Sequence, residues 1–202
     1  MAKKESDSNF TGLWMVLVFM AALAAWMFIS TEYLVSALSN ERKFLVEMAG
    51  APADQWVYGK MIGTSMEQLK DVIVAIKTEK EKSGAPEALS KWIQERIIVT
   101  WLWGSLIMYR LNLLLLFFFI LMPFTIAIAA DGFYNRTIRT FRFSSQSPIR
   151  HRLGVIVLTM ATAGGGIWIL LPFPIPSIIA PLVIVFVGLS TWIWATNLQK
   201  RI

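Results

Sequence analysis

The chain has 202 residues, 56% of them hydrophobic and only 16% charged, an apolar excess that a soluble domain of this size could not hide in one core. Its formal net charge of +6 is gathered in the segment after Ala130 and at Lys3, Lys4, Lys200 and Arg201, the pattern of basic loops kept on one side of a membrane rather than of a nucleic-acid-binding face. No cysteine occurs, which excludes disulfides, thiolate nucleophiles and cysteine metal sites.

In chain order, Met1 to Gly12 is short and polar and reads as a cytoplasmic tail. Leu13 to Ile29 is uncharged, with Trp14 and Trp26 near its ends, where amphipathic rings collect at membrane interfaces. It is expected to be a first span, over 13–30. A cleaved signal peptide shares the basic start and apolar run, but this stretch is longer than such a core usually is and no small-x-small site follows it.

From Thr31 to Arg96 the composition turns polar, with nine Lys or Arg against ten Asp or Glu and no long apolar run. Balanced charge permits translocation, so 31–96 is expected to be a periplasmic helical segment. Leu34, Leu38, Leu45 and Met48, then Met61, Met66, Leu69, Val72, Ile73 and Ile76, then Leu89, Trp92 and Ile93 recur at helical spacing and predict three helices. Gly50-Ala51-Pro52 and Ser83-Gly84-Ala85-Pro86 would separate them, with Ala53 or Asp54 opening the second. The carboxylates here alternate with lysines in the manner of a solvated face. So small a segment is expected to lean on the spans, on copies of itself or on a partner.

Residues 97–130 hold Arg110 as their sole charge and exceed what one crossing of a ~30 Å hydrocarbon layer requires. The favoured reading places an interfacial approach at Trp101, Trp103 and Tyr109, Arg110 at the outer interface, and the crossing over Leu111 to Ala130. The other places Arg110 inside a tilted span, where it finds a partner or snorkels. Pro123 should kink this helix.

The run stops at Asp131-Gly132, and 131–152 is read as a cytoplasmic arginine-rich loop. Arg136, Arg139 and Arg142 stand at i, i+3 and i+6, one side of a helix continuing out of the second span, with Phe133, Ile138, Phe141 and Phe143 as apolar surface. Asp131 is expected to pair with an arginine one turn away, and Gly132 to let the chain leave the membrane axis. Arg150-His151-Arg152 closes the loop. A third span over 153–171 carries Gly164-Gly165-Gly166, read as close helix packing, with substrate coordination by an unwound helix as the alternative. Pro172 to Ser177 would be a tight outer turn, 178–196 the fourth span and 197–202 an inner tail. The resulting fold class is all-α and polytopic, with four transmembrane helices and both termini in the cytoplasm.

Chemistry is sparse. His151 is the only histidine, so no histidine metal cage is available, and neither a glycine-rich phosphate loop nor a serine nucleophile elbow occurs. The spans carry no carboxylate relay of the kind that cation-coupled transporters use. No enzyme activity, cofactor or metal is expected. Asp131, Gly132, Arg136, Arg139, Phe141, Arg142, Arg150, His151 and Arg152 remain as a partner- or lipid-binding surface, serving topological retention, anionic head groups or an acidic protein. Direct nucleic-acid binding is not expected, since the Phe residues more plausibly face lipid than bases.

These residues resemble a family of inner-membrane proteins of integrating conjugative elements and conjugative plasmids. In that family an Arg-bearing second span with a proline runs into Asp-Gly, then Arg-x-x-Arg-x-Phe, with a His/Arg cluster before the third span. Here the elements stand as Arg110, Pro123, Asp131-Gly132, Arg136, Arg139, Phe141 and Arg150-His151-Arg152, and the likeness covers roughly Trp101 to Ile202. It departs at Asn135 and Thr140, where the pattern often has Arg. The resemblance implies a bacterial inner-membrane component of a conjugative type IV secretion apparatus, partnering the coupling-protein ATPase or other subunits. A small channel or transporter subunit and a lipid-binding, membrane-shaping protein are the alternatives, and a homo-oligomer is compatible with any of them.

Overall fold

The computed structural model describes residues 16, 20, 23–82, 87–141 and 148–197. Residues 23–28 are helical and are followed by five helices: α1 (Thr31–Ala49), α2 (Ala51–Lys82), α3 (Glu87–Phe141), α4 (Pro148–Leu170) and α5 (Ile179–Thr196). The N-terminal tail, eight residues of the first span, the Ser83-to-Pro86 turn, Arg142, Phe143 and Lys200-Arg201 lie outside the described residues.

Local chemistry explains the boundaries. The Ser30 hydroxyl accepts from the Tyr33 N–H at 3.3 Å and caps α1. Gly50, at φ +84°, ends it and donates its own N–H to the Val46 carbonyl. That one residue is the whole corner, because α2 starts at Ala51 with Pro52 in its first turn. The second helix therefore opens two or three residues before the predicted Ala53 or Asp54.

The third outer stripe is not a separate helix. Leu89, Trp92 and Ile93 are the first turns of α3, which runs 55 residues without a break, roughly 80 Å at 1.5 Å per residue. No glycine or proline interrupts it before Gly104, so nothing stops the helix between the outer segment and the span. It passes through Pro123 and continues past Asp131-Gly132 to Phe141.

Three described helices are long and apolar enough to cross a membrane: residues 87–139, 149–170 and 179–196. The remaining span expected from the sequence, at 13–30, is described only at residues 16, 20 and 23–30, of which 16, 20 and 23–28 are helical. The apolar bundle is built on α5, which packs along both α3 and α4 while those two scarcely meet. Its core is continuous with α1 and α2. Leu45, Val57 and Met61 of α1 and α2 join Tyr109, Leu113 and Phe117 of α3, Trp168 of α4 and Ile184 of α5 in one buried cluster. A second cluster joins Leu34 to Val99 and Leu106, with Trp26 and Ile29 against it.

Candidate functional site

The sequence-predicted surface lies at one end of the bundle, where α3, α4 and α5 come together through glycines. A Cβ on Gly132 would stand 3.2 Å from both the Trp192 side chain and its carbonyl oxygen and 3.3 Å from the Ala195 Cβ; one on Gly154 would stand 3.0 Å from the Trp194 nitrogen. Gly132 is thus where α3 meets α5, rather than a point of exit, and the helix continues straight through it. The carboxylate of Asp131 accepts from the Trp192 indole N–H at 2.7 Å and from the Asn135 amide at 2.8 Å. Its neighbour one turn on is therefore Asn135, not an arginine, since that turn of the sequence carries no basic residue.

Arg136, Arg139 and Phe141 are on the last turns of α3, as the i, i+3 spacing predicted, while Arg142 lies outside the described residues. Arg150, His151 and Arg152 are not loop residues; they form the first turns of α4, which begins at Pro148. The His151 ring packs at 6.3 Å from Trp194, and its Nδ1 is buried without a hydrogen-bond partner among the described residues. Phe133, Tyr134, Ile138, Phe141, Ile149 and Leu153 all stand exposed between these basic positions.

At the opposite end Arg110 is buried with a partner, as the second sequence reading allowed and not at an interface as the favoured one had it; the residues that answer it were not foreseen. Arg110 and Glu41 are both wholly buried and form an ion pair. The Arg110 Nε donates to both Glu41 oxygens at 3.1 Å and Nη2 to Oε1. The guanidinium also donates to the carbonyls of Trp168, Ile169, Leu171 and Phe173. These include the carbonyls that α4 leaves unpaired at its C-terminus, so one cation caps that helix and neutralises a carboxylate from another. Glu41 in turn accepts from the Ile175 N–H at 3.3 Å, and its backbone carbonyl accepts from the Ser177 hydroxyl at 3.0 Å. The proline turn is thereby fastened to α1.

The next residue builds a second pair. Arg42 donates to Asp54 at 2.7–3.2 Å and lies 3.6 Å over the Tyr58 ring, and the Tyr109 hydroxyl donates to the same carboxylate at 3.4 Å. The hydrogen bond to Asp54 raises the pKa of Arg42 above its ordinary value, so this cation stays charged at any accessible pH. Glu41 and Asp54 therefore correct the expectation of a uniformly solvated carboxylate face. Arg96 repeats the capping device earlier in α3, donating to the carbonyls of Trp26, Met27 and Ile29 at 2.6–3.0 Å. The legible signal was Arg110 as the sole charge in a long apolar run. Its partner was hidden because Glu41 sits in an ordinary polar helix 69 residues away.

Between α3 and α4, with α5 as its floor, runs an apolar groove of about 620 Å³ whose walls include Thr125, Ala129, Thr162 and Gly166. The Thr125 and Thr162 hydroxyls donate to carbonyls of their own helices. Of the three consecutive glycines only Gly165 meets α5, at Val183; a Cβ on Gly164 or Gly166 would meet nothing within 4 Å. The helix is not unwound there.

Residues 16–199 match a family model described as IncC plasmid conjugative DNA transfer protein DtrJ-like. No curated protein and no solved structure matches the chain.

Proposed function

Because the chain belongs to the DtrJ-like family of IncC plasmid conjugative DNA transfer proteins, we propose that it serves conjugation as a non-catalytic inner-membrane scaffold of the type IV secretion apparatus. In this reading four spans cross the inner membrane with both termini inside. They pack against the membrane helices of the coupling-protein ATPase, and the arginine-bearing end of the bundle lies on the cytoplasmic side, where it positions cytosolic machinery.

The observation that carries this reading is the pairing of an apolar groove between α3 and α4 with a lining glycine, Gly166, whose Cα face is uncovered. Small residues let a further helix approach a backbone closely, which is how helices associate where lipid removes the hydrophobic drive. Gly166 offers such a surface on a helix that is already fully hydrogen-bonded, so nothing in the fold requires it to be glycine.

The test is purification in mild detergent from donor cells making the whole apparatus. Co-purification with the coupling protein, lost in Gly166→Leu while the variant stays folded, is the expected result. Recovery of the native chain alone would overturn the reading.

A further inference from the structure

We infer that the arginine-bearing end of the bundle is a binding site for an anionic phospholipid, with Arg136 and Arg139 of α3 and Arg150 of α4 closing on one head group beneath the last turn of α5. The inference rests on the proposed reading in one respect only, that this end of the chain stands at a bilayer surface.

The geometry follows from helical phase. Gly132 faces Trp192 and Ala195, and Arg136 and Arg139, at i+4 and i+7 from it, share its face of α3. Gly154 faces Ser190 and Trp194, and Arg150, at i−4, shares its face of α4. Because α5 ends at Thr196, with Asn197 as its cap, both neighbours run past it. Among the described residues, their shared faces therefore border a space beyond the C-terminal carbonyls of α5. The partial negative charge there favours cations close by, which accounts for basic residues on both walls.

Three guanidiniums exceed what one helix end can balance. Arg139 and Arg150 already interact with other groups of the protein, but a guanidinium has five N–H donors and can serve a second acceptor. Asp131, the carboxylate of this region, is occupied by Trp192 and Asn135. The flanks of the space are apolar: Phe141 and Ile149 are 78% and 80% exposed, with Ile138 and Leu153 beside them. Phosphate-binding cations edged by greasy side chains match the two halves of a phospholipid. An acidic protein or nucleic acid would need only the first half.

Each basic group near an anionic lipid surface contributes about a fivefold preference, so three together imply well over tenfold. The full chain, purified and lipid-depleted in mild detergent, is offered equal amounts of phosphatidylglycerol and phosphatidylcholine, and retained lipid is read by native mass spectrometry. The expected result is at least a tenfold preference for phosphatidylglycerol. It should fall to about twofold or less in R136Q/R139Q/R150Q and persist in K60Q/K70Q/K77Q, which removes the same charge from α2. Should the triple variant fail to fold, R136Q and R150Q are measured singly, each expected to lose part of the preference. Equal retention of both lipids by the native chain, or an unchanged preference in the variants, overturns the inference. So does a variant that keeps its lipid preference yet no longer co-purifies with the apparatus, because the arginines would then hold a protein. A variant that loses lipid preference but still co-purifies supports the lipid site and leaves the scaffold reading standing.

Discussion

At Arg110 one side chain holds three parts of the molecule together. Removing one member of a buried ion pair strands the other charge away from water, at a cost of about 3–5 kcal/mol. Glu41→Ala should therefore lower thermal stability in detergent more than the same change at exposed Glu47. Arg110→Lys should also be strongly destabilising although it preserves charge. An ammonium has three donors on one atom, whereas the guanidinium reaches Glu41 and four carbonyls spread over α4 and the proline turn. If the lysine variant unfolds at the native temperature in a detergent melt, the capping role assigned to Arg110 is wrong. The sequence exposed this residue by isolating it among apolar neighbours, but gave no indication which of ten outer-segment carboxylates would answer it.

Among the helices, glycines decide which surfaces touch. At Gly154 an added methyl meets the backbone of α5 at Trp194 and Ser190, which cannot swing aside. Gly154→Ala should push α4 from α5 and cost about 1–3 kcal/mol, the usual range for overpacking. Gly164 meets nothing, and Gly164→Ala should instead be neutral or stabilising by up to about 1 kcal/mol, the helix-propensity difference. Comparing the two unfolding midpoints in one detergent checks both, and equal effects would contradict the packing described. Both glycines look alike in sequence. Their difference comes from which side of α4 is turned to α5, and a uniformly apolar helix carries no stripe to reveal it. The same uniformity hid the fusion of the third outer helix into α3, since its amphipathic stripe simply fades into an all-round apolar run.

For the whole molecule, on the proposed reading, the open quantity is its sense across the membrane, and the absence of cysteine makes it directly measurable. Tyr134 and Phe173 are exposed at opposite ends of the bundle. With a single cysteine introduced at either position, an impermeant maleimide added to intact spheroplasts should label Phe173→Cys and spare Tyr134→Cys. The opposite pattern would invert the map and detach the arginines from any cytosolic role. Composition by itself pointed to helices long and apolar enough to cross a membrane, three of which stand among the described residues, because runs of about 20 uncharged residues can meet lipid only as helices, lipid satisfying no backbone groups. The family, too, was legible, since Asp131-Gly132, Arg136, Arg139 and the His/Arg cluster are local in sequence. Only the tertiary structure decided that Glu41 meets Arg110, that Asp131 meets Trp192 and that α5 is the shared floor of the bundle. Those pairings depend on how distant helices are rotated about their axes, and rotation is set by mutual packing that no local pattern of residues encodes.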